Sequence, residues 1–329
     1  MRQPTLKSAF SNGAAAATED HGELEVYDLF CGAGGFTQGA KEAGHRVKYA
    51  CDSWPLALET YAQNQPGVER VVYLQLPSAD IPFPKDGRKF HVHGSPPCQR
   101  FSPCGRPFST THSTAVAENL VIWFVELAIS CGATSWSMEQ VSSHETRSML
   151  EALRQKHRGR VAYATVDFEL LGVPQIRRRL IAGSPEIVAR LLRKCSQDRR
   201  RGVKDFVGNP RGTHVHSGTQ CHRGRRPVLK PEEGKARFKY DKINMKNRGM
   251  LYARPVSEPC PTITGNGDMR WSTKLGPGSF RHVQLNVGEL SLLQTFPASY
   301  IWPEGRAEAN KMVGNSLPPL VARLLLQKE

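Results

Sequence analysis

The sequence predicts an α/β protein: a mostly parallel sheet, doubly wound with helices on both faces, and a smaller irregular domain. Three observations predict it. Apolar or β-branched runs alternate with amphipathic stretches from residue 24 to about 190, and a glycine-rich turn follows the first run. The rhythm then fails between about 191 and 280, where Gly, Pro, His and Arg dominate.

The strands are expected at 24–30, 46–52, 90–94, 134–138, 161–167 and 179–183, each a short run of the kind that buries on both faces of a parallel sheet. Helices are expected between them at 35–43, 54–64, 116–130 and 145–155. Order returns with 287–293 and a last helix at 317–326, which contains the breaker Pro318-Pro319 near its start. Residues 1–22, rich in Ala and Ser, read as a tail. The domains are then 23–190 (catalytic and cofactor), 191–280 (second lobe), 281–304 (hinge) and 305–329, a segment returning to the first domain.

With 329 residues and 39% hydrophobic content, the chain can bury one large core and a lesser one, which excludes a disordered or fibrous protein. No apolar run approaches the roughly 20 residues that span a bilayer, and no signal pattern begins the chain. No membrane partner is expected, and the location is intracellular: cytoplasm or nucleoid in a prokaryote, nucleus in a eukaryote. Eight irregularly spaced cysteines do not form a disulfide framework and are expected to be reduced.

A net charge of +15 points to a polyanionic partner, because clustered Lys and Arg gain affinity by releasing counterions from phosphates. The charge is not spread evenly. Residues 193–248 hold 17 Lys and Arg against 5 Asp and Glu, so the second lobe is expected to face nucleic acid.

Asp28-Leu29-Phe30-Cys31-Gly32-Ala33-Gly34-Gly35-Phe36 joins a strand to a helix, where Gly32, Gly34 and Gly35 let the backbone turn tightly and approach a ligand. A pyrophosphate loop needs glycine at position 37, where Thr37 stands. Asp52, at the end of the next strand, is placed to accept both ribose hydroxyls. Trp54 offers a face for adenine, and the acid of Asp80-Ile81 can accept its amino group. Together these outline an adenosyl pocket without a phosphate clamp, which suits S-adenosylmethionine.

Gly94-Ser95-Pro96-Pro97-Cys98-Gln99-Arg100-Phe101-Ser102 follows a strand and cannot be helical, because two prolines fix φ and remove donors. A stiff loop carrying one cysteine at the C-terminal edge of a sheet can aim a thiolate into the ligand crevice.

At this point the ordered motifs resemble the DNA cytosine-C5 methyltransferase family, and with it the fold of S-adenosylmethionine-dependent methyltransferases. They are the Asp28–Phe36 loop, Pro96-Pro97-Cys98-Gln99, Glu139-Gln140-Val141, Gln175-Ile176-Arg177-Arg178-Arg179, the segment 289–297 and Gly314-Asn315-Ser316. The resemblance runs from Val26 to about Leu326. It implies that Cys98 adds to C6 of a flipped cytosine in double-stranded DNA, making C5 nucleophilic. It implies that Glu139 serves N3, that Arg179 holds O2, and that Arg177 and Gln175 support the catalytic site. It further implies cofactor contacts from Asp28, Phe30, Asp52, Trp54, Asp80, Ile81, Pro97, Asn315 and Ser316, and DNA contacts from Gln99 and Ser102.

The chain departs from the family pattern at Gln140, where Asn is usual; at His91 and His93, near which an acid commonly begins the strand; at Ser95, where a second glycine is more usual; and at Asp52, where Glu is typical. None removes a reacting group. Residues 191–280 fall where family members carry their target-recognition domain. There Arg199, Arg200, Arg201, Arg223, Arg225, Arg226 and the lysines of 235–246 are candidates for phosphate contact. His214, His216, Cys221 and His222 lack C-x2-C spacing, so no metal is expected. Gln3, Leu6 and Phe10 resemble a sliding-clamp peptide that lacks its first aromatic, at Ala9. The protein is expected to be a monomer acting in restriction-modification or epigenetic marking. The rival readings are a transfer-RNA cytosine-C5 methyltransferase, whose Cys-Phe-Thr tripeptide is absent here, and a catalytically impaired DNA-binding homologue.

Overall fold

In the computed structural model, residues 24–78, 80–97, 111–217, 253–276 and 279–327 are described. The predicted alternation builds one seven-stranded sheet. β1 (Glu25–Leu29) is followed by α1 (Gly35–Glu42), β2 (Arg46–Asp52), α2 (Pro55–Asn64), β3 (Arg70–Tyr73), β4 (Phe90–Gly94), α3 (Thr111–Ser130) and β5 (Ser135–Gln140). Then come α4 (His144–Lys156), β6 (Ala162–Asp167), β7 (Arg178–Gly183) and α5 (Pro185–Cys195). The strand order is β3-β2-β1-β4-β5-β7-β6. The first five strands are parallel, and β7 runs antiparallel to both β5 and β6. The order reverses between β1 and β4, so the loops that leave these two strands diverge and open a crevice at their C-terminal ends.

Several elements differ from expectation, for physical reasons. β5 continues two residues past 138 because Glu139 and Gln140 pair with Ile181 and Leu180 of β7; ladder bonds outweigh their poor strand propensity. The boundary drawn at 190 falls inside α5, where Ile187, Val188 and Leu191 are buried while Arg193 and Lys194 supply the charge that hides the period. Ser184 followed by Pro185 is the start signal. The last helix, α8 (Pro319–Leu326), begins at the second proline, whose fixed φ suits the first helical turn.

α8 packs on α1 at two glycines. A side chain on Gly39 would collide with Pro319 O and Ala322, and one on Gly35 with Leu317 O. That close approach buries Val321, Leu324, Leu325 and Leu326 on one face of the sheet beside Phe36, Val166 and Ile181, each contributing about 1.5–3 kcal/mol. His45 Nε2 meets Leu326 O at 3.2 Å, and Lys194 Nζ donates to Leu324 O at 2.9 Å, so the final turn is held by polar contacts as well. The opposite face packs against α3 and α4 through Val121, Phe124, Val125 and Leu150.

The second lobe contains a four-stranded antiparallel sheet of β8 (His214–Ser217), β9 (Ala253–Pro255), β10 (Met269–Gly276) and β11 (Ser279–Gln284), ordered β11-β10-β8-β9. The expected boundary at 280 therefore falls inside β11. Its core, around Trp271, Met269, Val215 and Ile263, is continuous with Leu290 and Leu293 of α6 (Val287–Leu293) and Val313 of α7 (Arg306–Asn315). Glu289 ties the pieces together: it accepts Arg211 Nε at 2.8 Å, Trp271 Nε1 at 3.1 Å and the Asn286 N–H at 2.7 Å. No helix among the described residues is long and apolar enough to cross a membrane.

Candidate active site

The glycine turn leaves β1 at the crevice. Phe30, Gly32 and Gly34 all have positive φ, at 58°, 52° and 92°. The three glycines serve different ends. A Cβ on Gly34 would press on Tyr300 Oη and Tyr61, and one on Gly35 on Leu317 O in the approach to α8, whereas above Gly32 nothing lies within 4 Å. Only Gly32 leaves its backbone open to a ligand. Its N–H donates to Asp52 Oδ2 at 2.8 Å, and the Trp54 N–H donates to Asp52 Oδ1 at 2.9 Å. Burial raises the Asp52 carboxyl above its usual range, and these backbone donors work against that rise. The Phe30 ring stands edge-on to Trp123, and Lys311 lies 4.4 Å over one face of Trp54. Lys311 was not legible in the sequence, because α7 meets α2 only through the tertiary fold.

Asp28 is interior. It is 1% exposed, and Thr37 Oγ1 donates to its Oδ2 at 2.7 Å while also contacting Tyr61 Oη at 2.7 Å. The residue that excludes a phosphate loop thus anchors the turn. Asp28 Oδ1 has no hydrogen-bond partner among the described residues, and burial pushes the carboxyl up to about 7. A carboxyl raised in the folded state stabilises the fold fully only below the unfolded value of 3.8, and that contribution is lost as pH rises through about 7. Asp28→Asn is expected to gain stability relative to the parent between pH 4 and 8; melting curves of both proteins across that range would show it, and a constant offset would contradict it.

Asp80 is exposed, its N–H bonded to Ser78 Oγ at 3.1 Å, while Ile81 is buried in the core beside Leu76. Asn315 is exposed at the end of α7. The carbonyl of Ser316 accepts Gln294 Nε2 at 2.6 Å, and its hydroxyl donates to Met312 O at 2.7 Å.

Across the crevice, β4 delivers the stem of the cysteine loop. The Ser95 N–H donates to Leu29 O at 3.3 Å, and Gln140 Nε2 donates to Pro96 O at 3.1 Å while its Oε1 accepts the Val141 N–H. The longer side chain at 140 therefore reaches the loop and holds it. Pro96 is buried and Pro97 exposed; Cys98, Gln99 and Ser102 lie outside the described residues.

Because β7 is antiparallel, its first residues lie at the edge where β5 ends. Arg179 Nε consequently stands 3.0 Å from Glu139 Oε1, both largely buried. The contact is an ion pair without hydrogen-bond alignment, and Glu139 Oε1 has no hydrogen-bond partner among the described residues. A buried acceptor in that state is suited to a donor from a ligand.

Gln175 and Arg177 point elsewhere. Arg177, 2% exposed, donates to the carbonyls of Ile263 (3.1 Å), Gly314 and Ser316 (both 3.2 Å). Gln175 donates to Leu293 O at 3.1 Å and to Gln294 Oε1, and accepts the Ile263 N–H at 3.1 Å. They join the second lobe and the C-terminal segment to the sheet. Among the basic candidates, Arg199, Arg200 and Arg201 follow α5 on the surface. Arg200 is paired with Asp198, and Arg201 lies over Phe206. Arg223, Arg225, Arg226 and the lysines of 235–246 lie outside the described residues, as do Gln3, Leu6 and Phe10.

The family of C-5 cytosine-specific DNA methylases matches residues 24–328. The chain belongs to this family. As a DNA cytosine-5 methyltransferase it is similar to the type II methyltransferase M.HgiDI of Herpetosiphon aurantiacus, 26% identical over 92% of this chain and 93% of that one. It is also similar to M.HindV of Haemophilus influenzae, 24% identical over 92% and 95%. Among solved structures it shares the fold of a protein described as a DNA modification methyltransferase encoded within an E. coli prophage (TM-score 0.61, 19% identity, 93% and 98% covered). It likewise shares the fold of the Dnmt2 methyltransferase of S. pombe (TM-score 0.55, 15% identity, 93% and 98% covered).

Proposed function

We propose that this methyltransferase modifies C5 of a cytosine flipped out of double-stranded DNA, within a specific short sequence, through a transient bond between Cys98 and C6. The observation that carries the reading is the buried Glu139–Arg179 pair, placed beside the Gln140-anchored stem of the Pro96-Pro97-Cys98 loop.

The crevice suits an adenosyl group: open backbone at Gly32, a fixed carboxylate at Asp52, and aromatic surfaces at Phe30 and Trp54. S-adenosylmethionine, when bound there, supplies an electrophilic methyl group. Everything else falls to the chain's own residues. The Cys98 thiolate adds to C6, breaking the C5–C6 double bond and leaving C5 rich in electrons. Charge develops toward N3 and O2, where Glu139, protonated once the base is bound, donates its proton to N3 and takes it back when Cys98 leaves, and the Arg179 guanidinium stabilises O2. Once C5 carries its substituent, a base removes H5, the double bond reforms, and the Cys98 thiolate leaves.

The basic second lobe, taken as 191–280, is the part that contacts DNA, with base edges read by side chains and phosphates held by arginines. Glu139→Gln keeps a hydrogen-bonding group but cannot give up a proton, and is expected to lower kcat by about 10²–10³-fold. Single-turnover methylation of a duplex at saturating cofactor measures this, and an unchanged rate would remove Glu139 from the chemistry. Tritium transfer from labelled S-adenosylmethionine to DNA and transfer RNA in parallel tests the substrate; labelling of RNA alone would overturn it. Bisulfite sequencing of plasmid from expressing cells reads the sequence context.

A further inference from the structure

β4 reads Phe-His-Val-His-Gly and β5 Ser-Trp-Ser-Met-Glu-Gln. Alternate residues of a strand share a face, and the parallel register sets His91 against Ser135 and His93 against Ser137. Four polar side chains thus line one face of two fully buried central strands. Such groups are costly in a core unless they satisfy one another. They do. Ser135 Oγ meets His91 Nδ1 at 2.8 Å, His91 Nε2 meets Ser137 Oγ at 2.9 Å, Ser137 Oγ meets His93 Nδ1 at 2.8 Å, and His93 Nε2 meets Ser95 Oγ at 3.1 Å.

The chain runs from the core to the cysteine loop and stops there. Burial pushes His91 down to about 3 and His93 well below its usual range, so both rings are neutral at physiological pH. A neutral imidazole has one donor and one acceptor nitrogen. Ser137 Oγ can give only one hydrogen to the two rings it bridges, so at least one of His91 Nε2 and His93 Nδ1 donates to it, and the tautomers of the two histidines are coupled. Phe36, in the first turn of α1 beyond the glycine loop, stacks on the His93 ring with centroids 3.6 Å apart and planes 6° from parallel. One ring accordingly touches the element that follows the cofactor loop and bonds the stem of the cysteine loop.

We propose that His93 is a positioning residue for methyl transfer: through Ser95 it fixes the stem that presents Cys98, with its own orientation set by Phe36, Ser137 and His91. The stem has two backbone anchors besides, Ser95 N–H to Leu29 O and Gln140 Nε2 to Pro96 O. The hydroxyl adds a side-chain anchor that glycine at 95, more usual in the family, cannot make. The inference rests on Cys98 being the nucleophile.

The test is covalent-adduct formation on 5-fluorocytosine duplex DNA with S-adenosylmethionine present, for the parent, Ser95→Ala, Ser95→Thr, His93→Phe and the double variant Ser95→Ala/His93→Phe. Ser95→Ala is expected to form adduct ~10–100-fold more slowly, with KM for DNA and the calorimetric affinity for S-adenosylhomocysteine within about twofold of the parent. Ser95→Thr should recover most of the rate. Adding Ser95→Ala to His93→Phe should cost little more, because both remove the same bond. If His93→Phe does not fold, the two Ser95 variants carry the test. A parent that forms adduct together with a Ser95→Ala rate within twofold of it would overturn the role of His93 alone. A parent that methylates DNA yet forms no adduct would overturn the Cys98 reading, and this inference with it.

Discussion

Replacement of Cys98 by serine is expected to abolish turnover, with kcat falling on the order of 10³-fold or more, while cofactor binding is retained. A thiol with an unperturbed pKa of about 8.5 yields useful thiolate near neutrality, whereas a serine hydroxyl yields almost no alkoxide. Binding is expected to survive because the groups proposed for the adenosyl moiety, Gly32, Asp52 and Trp54, come from the ends of β1 and β2. Tritium transfer to DNA and calorimetry with S-adenosylhomocysteine measure the two quantities separately. A fully active Cys98→Ser protein would overturn the covalent mechanism.

Arg177→Met is expected to have the largest effect on stability. The guanidinium is buried and serves the carbonyls of Ile263, Gly314 and Ser316, which belong to the second-lobe core, the end of α7 and the approach to α8. Methionine fills the volume but leaves those carbonyls without donors, at a cost of about 1–3 kcal/mol each where no water replaces them. Arg177→Lys should recover only part, since an ammonium lacks the planar fork that reaches several acceptors at once. Urea unfolding would read the loss as a lower midpoint. The same substitution at Arg179, two residues on, should lower kcat and shift the midpoint less, since it leaves one carboxylate at the crevice without its cation rather than three interior carbonyls without donors. A parent-like midpoint for Arg177→Met would show that the clamp is dispensable.

Much of the large domain was legible because its strands are buried on both faces and therefore appear as continuous runs: 46–52 and 90–94 coincide with β2 and β4. β3 was not among the expected strands, because Arg70–Tyr73 is half exposed and carries no buried face. The small sheet escaped because His214–Ser217 is short, Met269–Gly276 is interrupted by Arg270 and Lys274, and the partners of β8 lie 37 or more residues away. At the site, motif spacing found Glu139, Arg179, Gln175 and Arg177 alike, and could not separate the pair at the crevice from the pair that clamps the lobes. Spacing by two puts residues on one face only within a strand; Gln175 and Arg177 precede β7 and Arg179 lies inside it, and only the tertiary fold decides which of them turn to the pocket.

The sequence by itself determined the chemistry available to this protein: a cysteine in a proline-stiffened loop, an acid, an arginine, and a glycine turn with Thr37 in place of a phosphate-binding glycine. It determined these because they depend on residue type and local spacing. The tertiary structure decided which of them meet. Arg179 reaches Glu139 because β7 runs against β5, Gln140 reaches Pro96 because adjacent strands end at one edge, and Arg177 is turned into the joint between lobes. Such encounters bring together groups 40 to 137 residues apart in the chain. Strand direction and register, which no local pattern of residues carries, fix them.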